Sequence, residues 1–188
     1  MQKVLLVHGW DGGPDKDWFP WLAAALKNRG YDVIAPQLPD AHEPSREKWI
    51  PALRTAIRER ESDMYFVAHS MGCQTLLRYL AELPEGITVP GALFVAGFVK
   101  PLRNLEGPAE EKVAASWTSE PLDLYRVKAH LAKSVALFSD NDPWVGLDNA
   151  DLFRDKLGAD VVIESGREHF NEHEEPSVLN AFLRLVGA

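Results

Sequence analysis

The stretch Tyr65-Phe66-Val67-Ala68-His69-Ser70-Met71-Gly72 leaves an uninterrupted apolar segment, meets a serine between small residues, and continues with helical spacing. A strand that ends in serine and resumes at once as a helix is the pattern of a nucleophile elbow. The usual form is Gly-x-Ser-x-Gly, because the tight turn crowds the positions two before and two after the serine. Ala68 stands where glycine is usual but remains small, and Gly72 keeps the second position. The plain alternative is a serine that caps the following helix. The buried strand before Ser70 favours the elbow.

Working outward, apolar runs at 3–8, 32–35, 64–68, 92–96, 134–138 and 161–164 are rich in Val, Leu, Ile and Phe without alternation, the pattern of strands covered on both faces. Between them, 18–28, 46–60, 73–83, 147–157 and 177–186 carry helical spacing of apolar residues, with Gly30 and Gly158 as stops. The alternation predicts an α/β fold, a mostly parallel, doubly wound sheet of about six strands with helices on both faces. Residues 99–130 break the rhythm: prolines at 101, 108 and 121 separate short helical pieces containing Trp117 and Tyr125. This reads as a short cap-like insertion after the fourth strand, inside a single domain spanning 1–188.

The chain has 188 residues, 46% hydrophobic and 26% charged, with a formal charge of -8. That size suits one domain with a substantial core. The acidic balance argues against nucleic acid as a partner, since phosphate backbones need clustered Lys and Arg. Only four consecutive apolar residues precede His8-Gly9, too few for a signal-peptide core or a membrane span, so a cytoplasmic protein with no membrane association is expected. The single cysteine, Cys73, has no disulfide or zinc partner and reads as a small buried hydrophobe. No dinucleotide or P-loop glycine pattern follows any strand. Neither an organic cofactor nor a metal is expected.

A serine nucleophile needs a base and a group to orient that base, and in elbow proteins the chain order is Ser, then Asp or Glu, then His. After the strand at 134–138 comes Ser139-Asp140-Asn141-Asp142-Pro143-Trp144-Val145; after that at 161–164 comes Ser165-Gly166-Arg167-Glu168-His169-Phe170. Carboxyl ends of parallel strands are where open α/β sheets place functional groups, so Ser70, Asp142 and His169 can meet above one edge. Singly, Asp142 could be a turn residue before Pro143 and His169 a loop histidine. Asp140 competes with Asp142, and His173 with His169. His169 would take the Ser70 proton and return it to the leaving group, while Asp142 fixes the imidazole tautomer. Backbone N–H groups of Met71, just after the nucleophile, and Trp10, in the glycine-rich loop His8-Gly9-Trp10-Asp11-Gly12-Gly13, are the expected oxyanion donors. Trp10 and Trp144 adjoin these loops and are candidate substrate-binding walls. His8 reads as a structural histidine.

Taken together, His8-Gly9-Trp10, Trp18-Phe19-Pro20-Trp21-Leu22, Ala68-His69-Ser70-Met71-Gly72, Asn141-Asp142-Pro143 and His169-Phe170-Asn171 resemble the small serine hydrolases of the YdeN and retinoblastoma-binding protein nine family. The resemblance spans nearly the whole chain. It implies a reduced α/β-hydrolase fold lacking the first two strands of the larger enzymes, with the triad carried onto Ser70, Asp142 and His169. Asp142-Pro143-Trp144-Val145 also resembles the Asp-x-x-Val pattern that follows the acid in many such hydrolases, which favours Asp142 over Asp140. Glu168 stands where many relatives show glycine. No Leu-x-Cys-x-Glu segment is present, so a retinoblastoma-pocket interaction gains no support. The expected activity is hydrolysis of small carboxylic esters, with thioesters and amides as neighbouring chemistries, through an acyl-enzyme. The alternatives are a protein-binding module with a vestigial triad, or an acyltransferase or lyase on the same scaffold.

Overall fold

A computed structural model describes residues 2–58 and 60–188. The elements in chain order are β1 (Lys3–Val7), α1 (Phe19–Lys27), β2 (Asp32–Ile34), α2 (Arg46–Ile57), β3 (Met64–His69), α3 (Met71–Ala81), β4 (Gly91–Val95), α4 (Pro108–Thr118), α5 (Leu124–Ala129), β5 (Ser134–Ser139), α6 (Asp148–Leu152), β6 (Asp160–Glu164) and α7 (Pro176–Val186). All six strands pair in parallel in the order β2-β1-β3-β4-β5-β6. The order reverses between β1 and β3. Ligand crevices of open α/β sheets open at such a switch point, outside the carboxyl ends of the strands.

The near-continuous apolar strands follow from burial on both faces, since successive side chains point to opposite sides. Leu5, Val7, Phe66, Ala68, Phe94 and Phe138 pack with α2, α3 and the 117–127 segment. Val4, Leu6, Val67, Leu93, Val95 and Leu137 pack on the other side against α1 and α7. α3 is the central helix, and its residues from Met71 to Leu80 are all buried. Even Arg78 is enclosed, donating to the carbonyls of Trp117 and Glu120 and to Gln74 Oε1.

Several boundaries and burial expectations differ from the sequence reading. The run at 161–164 is not covered on both faces: β6 is an edge strand, and Ile163 is 48% exposed. β2, the opposite edge, is only half-buried. Helix α3 begins two residues earlier than expected, because the turn at Ser70 leads directly into it. The 46–60 helix stops at Ile57, with Arg58 in the left-handed region; Glu59, inside the expected range, lies outside the described residues. The 147–157 helix divides into α6 and a π-turn at Phe153–Leu157, closed by Gly158 at φ +74°. Residues 99–130 hold α4 and α5 and no strand, but only part of the segment is cap-like. Leu102, Leu105, Glu106 and Glu110 border the cleft described below. Trp117, Leu124 and Val127 instead belong to the main core. No described helix is long and apolar enough to cross a membrane.

One close approach sets the geometry at the switch point. A Cβ on Gly72 would lie 2.4 Å from the Val7 carbonyl oxygen and 2.5 Å from that of His8, backbone atoms that cannot swing aside. Gly72→Ala is therefore expected to destabilise the fold by about 2–3 kcal/mol through overpacking. Urea unfolding checks this as a lowered midpoint at unchanged slope; a wild-type midpoint would contradict the close packing of α3 on β1.

Candidate active site

Ser70 sits between β3 and α3 at φ 52° and ψ -118°, a backbone conformation that a residue with a Cβ holds only where its surroundings enforce it. Those surroundings are visible. The Ser70 N–H donates to the Val95 carbonyl at 2.9 Å, and its own carbonyl accepts from the Cys73 N–H at 2.9 Å. The loop after β1 lies against it, since a Cβ on Gly9 would sit 3.1 Å from the Ser70 Cβ. The turn thus lifts the Ser70 side chain above the sheet edge at the start of α3, where the first helical N–H groups have no carbonyl four residues back.

Ser70 Oγ is 2.8 Å from His169 Nε2, and His169 Nδ1 is 2.7 Å from Asp142 Oδ2. The Asp142 carboxylate is 2% exposed, and its other oxygen accepts the N–H groups of Trp144 and Val145, both at 2.9 Å. This turn fixes the carboxylate plane and leaves one oxygen for the imidazole. Trp144 packs edge-on to His169, with ring centroids 4.9 Å apart. Such a chain can accept the serine proton at Nε2 while the developing imidazolium stays bonded to a carboxylate.

Asp140, the rival acid, does something else. It accepts from the Ser165 hydroxyl at 2.8 Å and the Gly166 N–H at 2.9 Å, and these two bonds hold its carboxyl below the usual range. Asn141 Oδ1 takes the Glu168 N–H at 2.9 Å and the Ser139 hydroxyl at 2.8 Å, while Ser139 Oγ accepts from the Arg167 N–H. The turn after β5 therefore grips the loop that carries His169. Sequence reasoning gave Ser139 and Asn141 no role; the signals were their place at the end of a strand just before the acid and, for Asn141, its place in the Asn141-Asp142-Pro143 motif. His173, the rival base, is exposed.

The expected walls lie around the same point. A cleft of about 550 Å³ is lined by Gly9, Trp10, Phe19, Ser70, Trp144 and His169, among others. The Trp10 indole donates to the His42 carbonyl at 3.0 Å, and the Asp11 N–H to that of Ala41 at 2.8 Å, so the loop after β1 is anchored. His8 is buried behind it, accepting the Leu38 N–H at Nε2 with Nδ1 on the Gly9 carbonyl, and burial lowers its pKa. It is the structural residue the sequence suggests. His69, which the sequence reading passed over, is buried with Nε2 2.8 Å from the His169 carbonyl oxygen. Cys73 is buried too, and burial raises its thiol pKa. Among the described residues no group of three or more His, Cys, Asp or Glu is placed to hold a metal.

Comparison with known proteins gives a consistent picture. The sequence model described as serine hydrolase matches residues 4–186. YdeN of Bacillus subtilis is 31% identical over 105 residues, covering 56% of this chain and 55% of that protein. Its crystal structure superposes over the whole of both chains with a TM-score of 0.89 at 22% identity. The serine hydrolase RBBP9 of Rattus norvegicus is 24% identical over 176 residues, 92% of this chain and 89% of the relative. A carboxylesterase structure from the thaumarchaeon Nitrososphaera gargenis aligns with a TM-score of 0.74 and 15% identity, covering 99% of this chain and 91% of that one. These structures share the α/β-hydrolase sheet and helices seen here.

Proposed function

We propose that this chain, which belongs to the serine hydrolase family, hydrolyses small carboxylic esters with Ser70 as nucleophile, His169 as base and Asp142 as the group that orients it. The observation that carries the reading is the unbroken hydrogen-bond chain from Ser70 Oγ through His169 to Asp142. Serine is a weak nucleophile at neutral pH. In this reading His169 Nε2 removes its proton as Oγ attacks the carbonyl carbon, and the negative oxygen is met by the N–H groups of Met71 and Trp10. Collapse breaks the ester bond, the alcohol leaves with the proton from His169, and the acyl group remains on Ser70. Water, deprotonated by the same imidazole, then releases the acid and restores the serine.

A cleft of about 550 Å³ bounded by Trp10, Trp144, Leu102 and Leu105 suits a small acyl group, and the pocket-bordering part of the 99–130 segment is short for a lipase-type lid. The carboxylesterase among the structural relatives supports the ester class. The one cysteine, buried behind the elbow, fits a reducing, cytoplasmic setting.

Covalent labelling tests the proposal without knowledge of the natural substrate. A fluorophosphonate should react with the folded protein and peptide mapping should place the adduct on Ser70, with a short-chain ester turned over by the same preparation. An adduct on another residue would overturn the nucleophile; a folded protein that neither labels nor hydrolyses would favour a hydrolase scaffold kept for binding.

A further inference from the structure

We propose that His69 and Trp18 are positioning residues that clamp the main chain on which His169 rides, an inference that rests on the triad reading above. The backbone around His169 is unusual. Glu168 has φ 46° and Phe170 has φ 57°, so the base stands between two left-handed residues, neither of them glycine. Residues with a Cβ, bulky Phe above all, hold that conformation only when the surroundings over-determine it.

Side chains of Ser139 and Asn141 hold the N–H groups of Arg167 and Glu168 on one side of the base. On the other side, two consecutive carbonyls each face a buried aromatic ring nitrogen. His69 Nε2 lies 2.8 Å from the His169 oxygen, and Trp18 Nε1 donates to the Phe170 oxygen at 2.8 Å. A carbonyl can only accept, so His69 carries its proton on Nε2 and donates. Burial, with the nearby His169 as a lesser cause, pushes the His69 pKa down to about 3, which keeps the ring a neutral donor. The two clamping rings also support each other, packed edge-on with centroids 5.6 Å apart, while His69 lies 5.0 Å from the His169 ring. Trp18 is in turn stacked on Phe19. The residue just before the nucleophile thus reaches across the sheet edge to set the base, tying the two reacting side chains to one rigid element.

The test compares His69→Leu with His69→Gln, whose amide nitrogen reaches about as far as the imidazole Nε2. Two readouts serve: hydrolysis of a short-chain ester, and the far-downfield proton resonance of the His169–Asp142 hydrogen bond, which needs no substrate. His69→Leu should lower kcat about 30- to 100-fold with KM nearly unchanged, the scale expected of a misplaced catalytic group, and should shift or broaden the resonance. His69→Gln should recover most of both. Trp18→Phe, which keeps the ring and loses the N–H, should show the same pattern in weaker form. If His69→Leu does not fold by circular dichroism, His69→Asn takes its place, polar but too short to reach the carbonyl. Wild-type kcat and resonance in the variant lacking the donor, or equal impairment in His69→Gln, would overturn the clamp. A wild-type protein with the resonance but no hydrolysis would instead overturn the triad reading, and the resonance would still decide the clamp.

Discussion

Replacing His169 with alanine is expected to lower kcat toward a short-chain ester by about 10⁶-fold, the scale seen when one member of a cooperating triad is removed. His169 Nε2 is the ring nitrogen beside Ser70 Oγ, at 2.8 Å, and no other described side chain shares that contact. Without it the hydroxyl has no acceptor for its proton, and what remains is binding and oxyanion stabilisation. His173→Ala should keep near wild-type turnover, because His173 is exposed on the same loop, beyond the buried Phe170. Because serine and histidine act as a unit, Ser70→Ala combined with His169→Ala should be hardly slower than either alone. Initial rates on purified, folded variants check all three. Turnover surviving His169→Ala but lost in His173→Ala would exchange their roles.

The difference between these two histidines marks how far the sequence could be read. Both lie past the last strand, and chain order alone accommodates either. What separates them is the grip of the β5 turn on residues 165–168 through Ser139, Asp140 and Asn141, which delivers His169 over Ser70. Polar residues beside a strand end read as ordinary turn formers, so their partners 25 to 28 positions away left no local trace. The elbow was legible because a tight turn constrains its own neighbours, as Gly72 against Val7 and His8 demonstrates. The parallel sheet was legible from its unalternating strands, but edges were not: Val161-Val162-Ile163 is apolar enough for a central strand, and only pairing order places it at the rim. Glu168, where the family resemblance implies glycine, sits at positive φ with its N–H held by Asn141. The departure from glycine thus falls on a residue whose conformation is enforced from outside, a fact invisible without the fold.

Asp142→Asn carries the second large expectation, a loss of about 10⁴ in kcat, of the size a wrong imidazole tautomer causes in serine proteases. The geometry here explains why an isosteric amide should act that way. Asp142 Oδ1 accepts the N–H groups of Trp144 and Val145, so an asparagine must keep its carbonyl oxygen on that side to avoid two unpaired donors. Its NH₂ then faces His169 Nδ1 in place of the oxygen now at 2.7 Å. A donor there requires Nδ1 to be the acceptor, which moves the imidazole proton to Nε2 and points it at Ser70 Oγ. The base can no longer take the serine proton, although nothing has changed shape. Asp140→Asn meets no such conflict. Its oxygens serve the Gly166 N–H and the Ser165 hydroxyl; an amide keeps the first bond, and the hydroxyl turns to accept for the second, so kcat should stay within a few-fold of wild type. Steady-state kcat for the two variants, with circular dichroism to confirm folding, decides the matter: a ranking with Asp140→Asn as the slower enzyme would move the orienting carboxylate to Asp140.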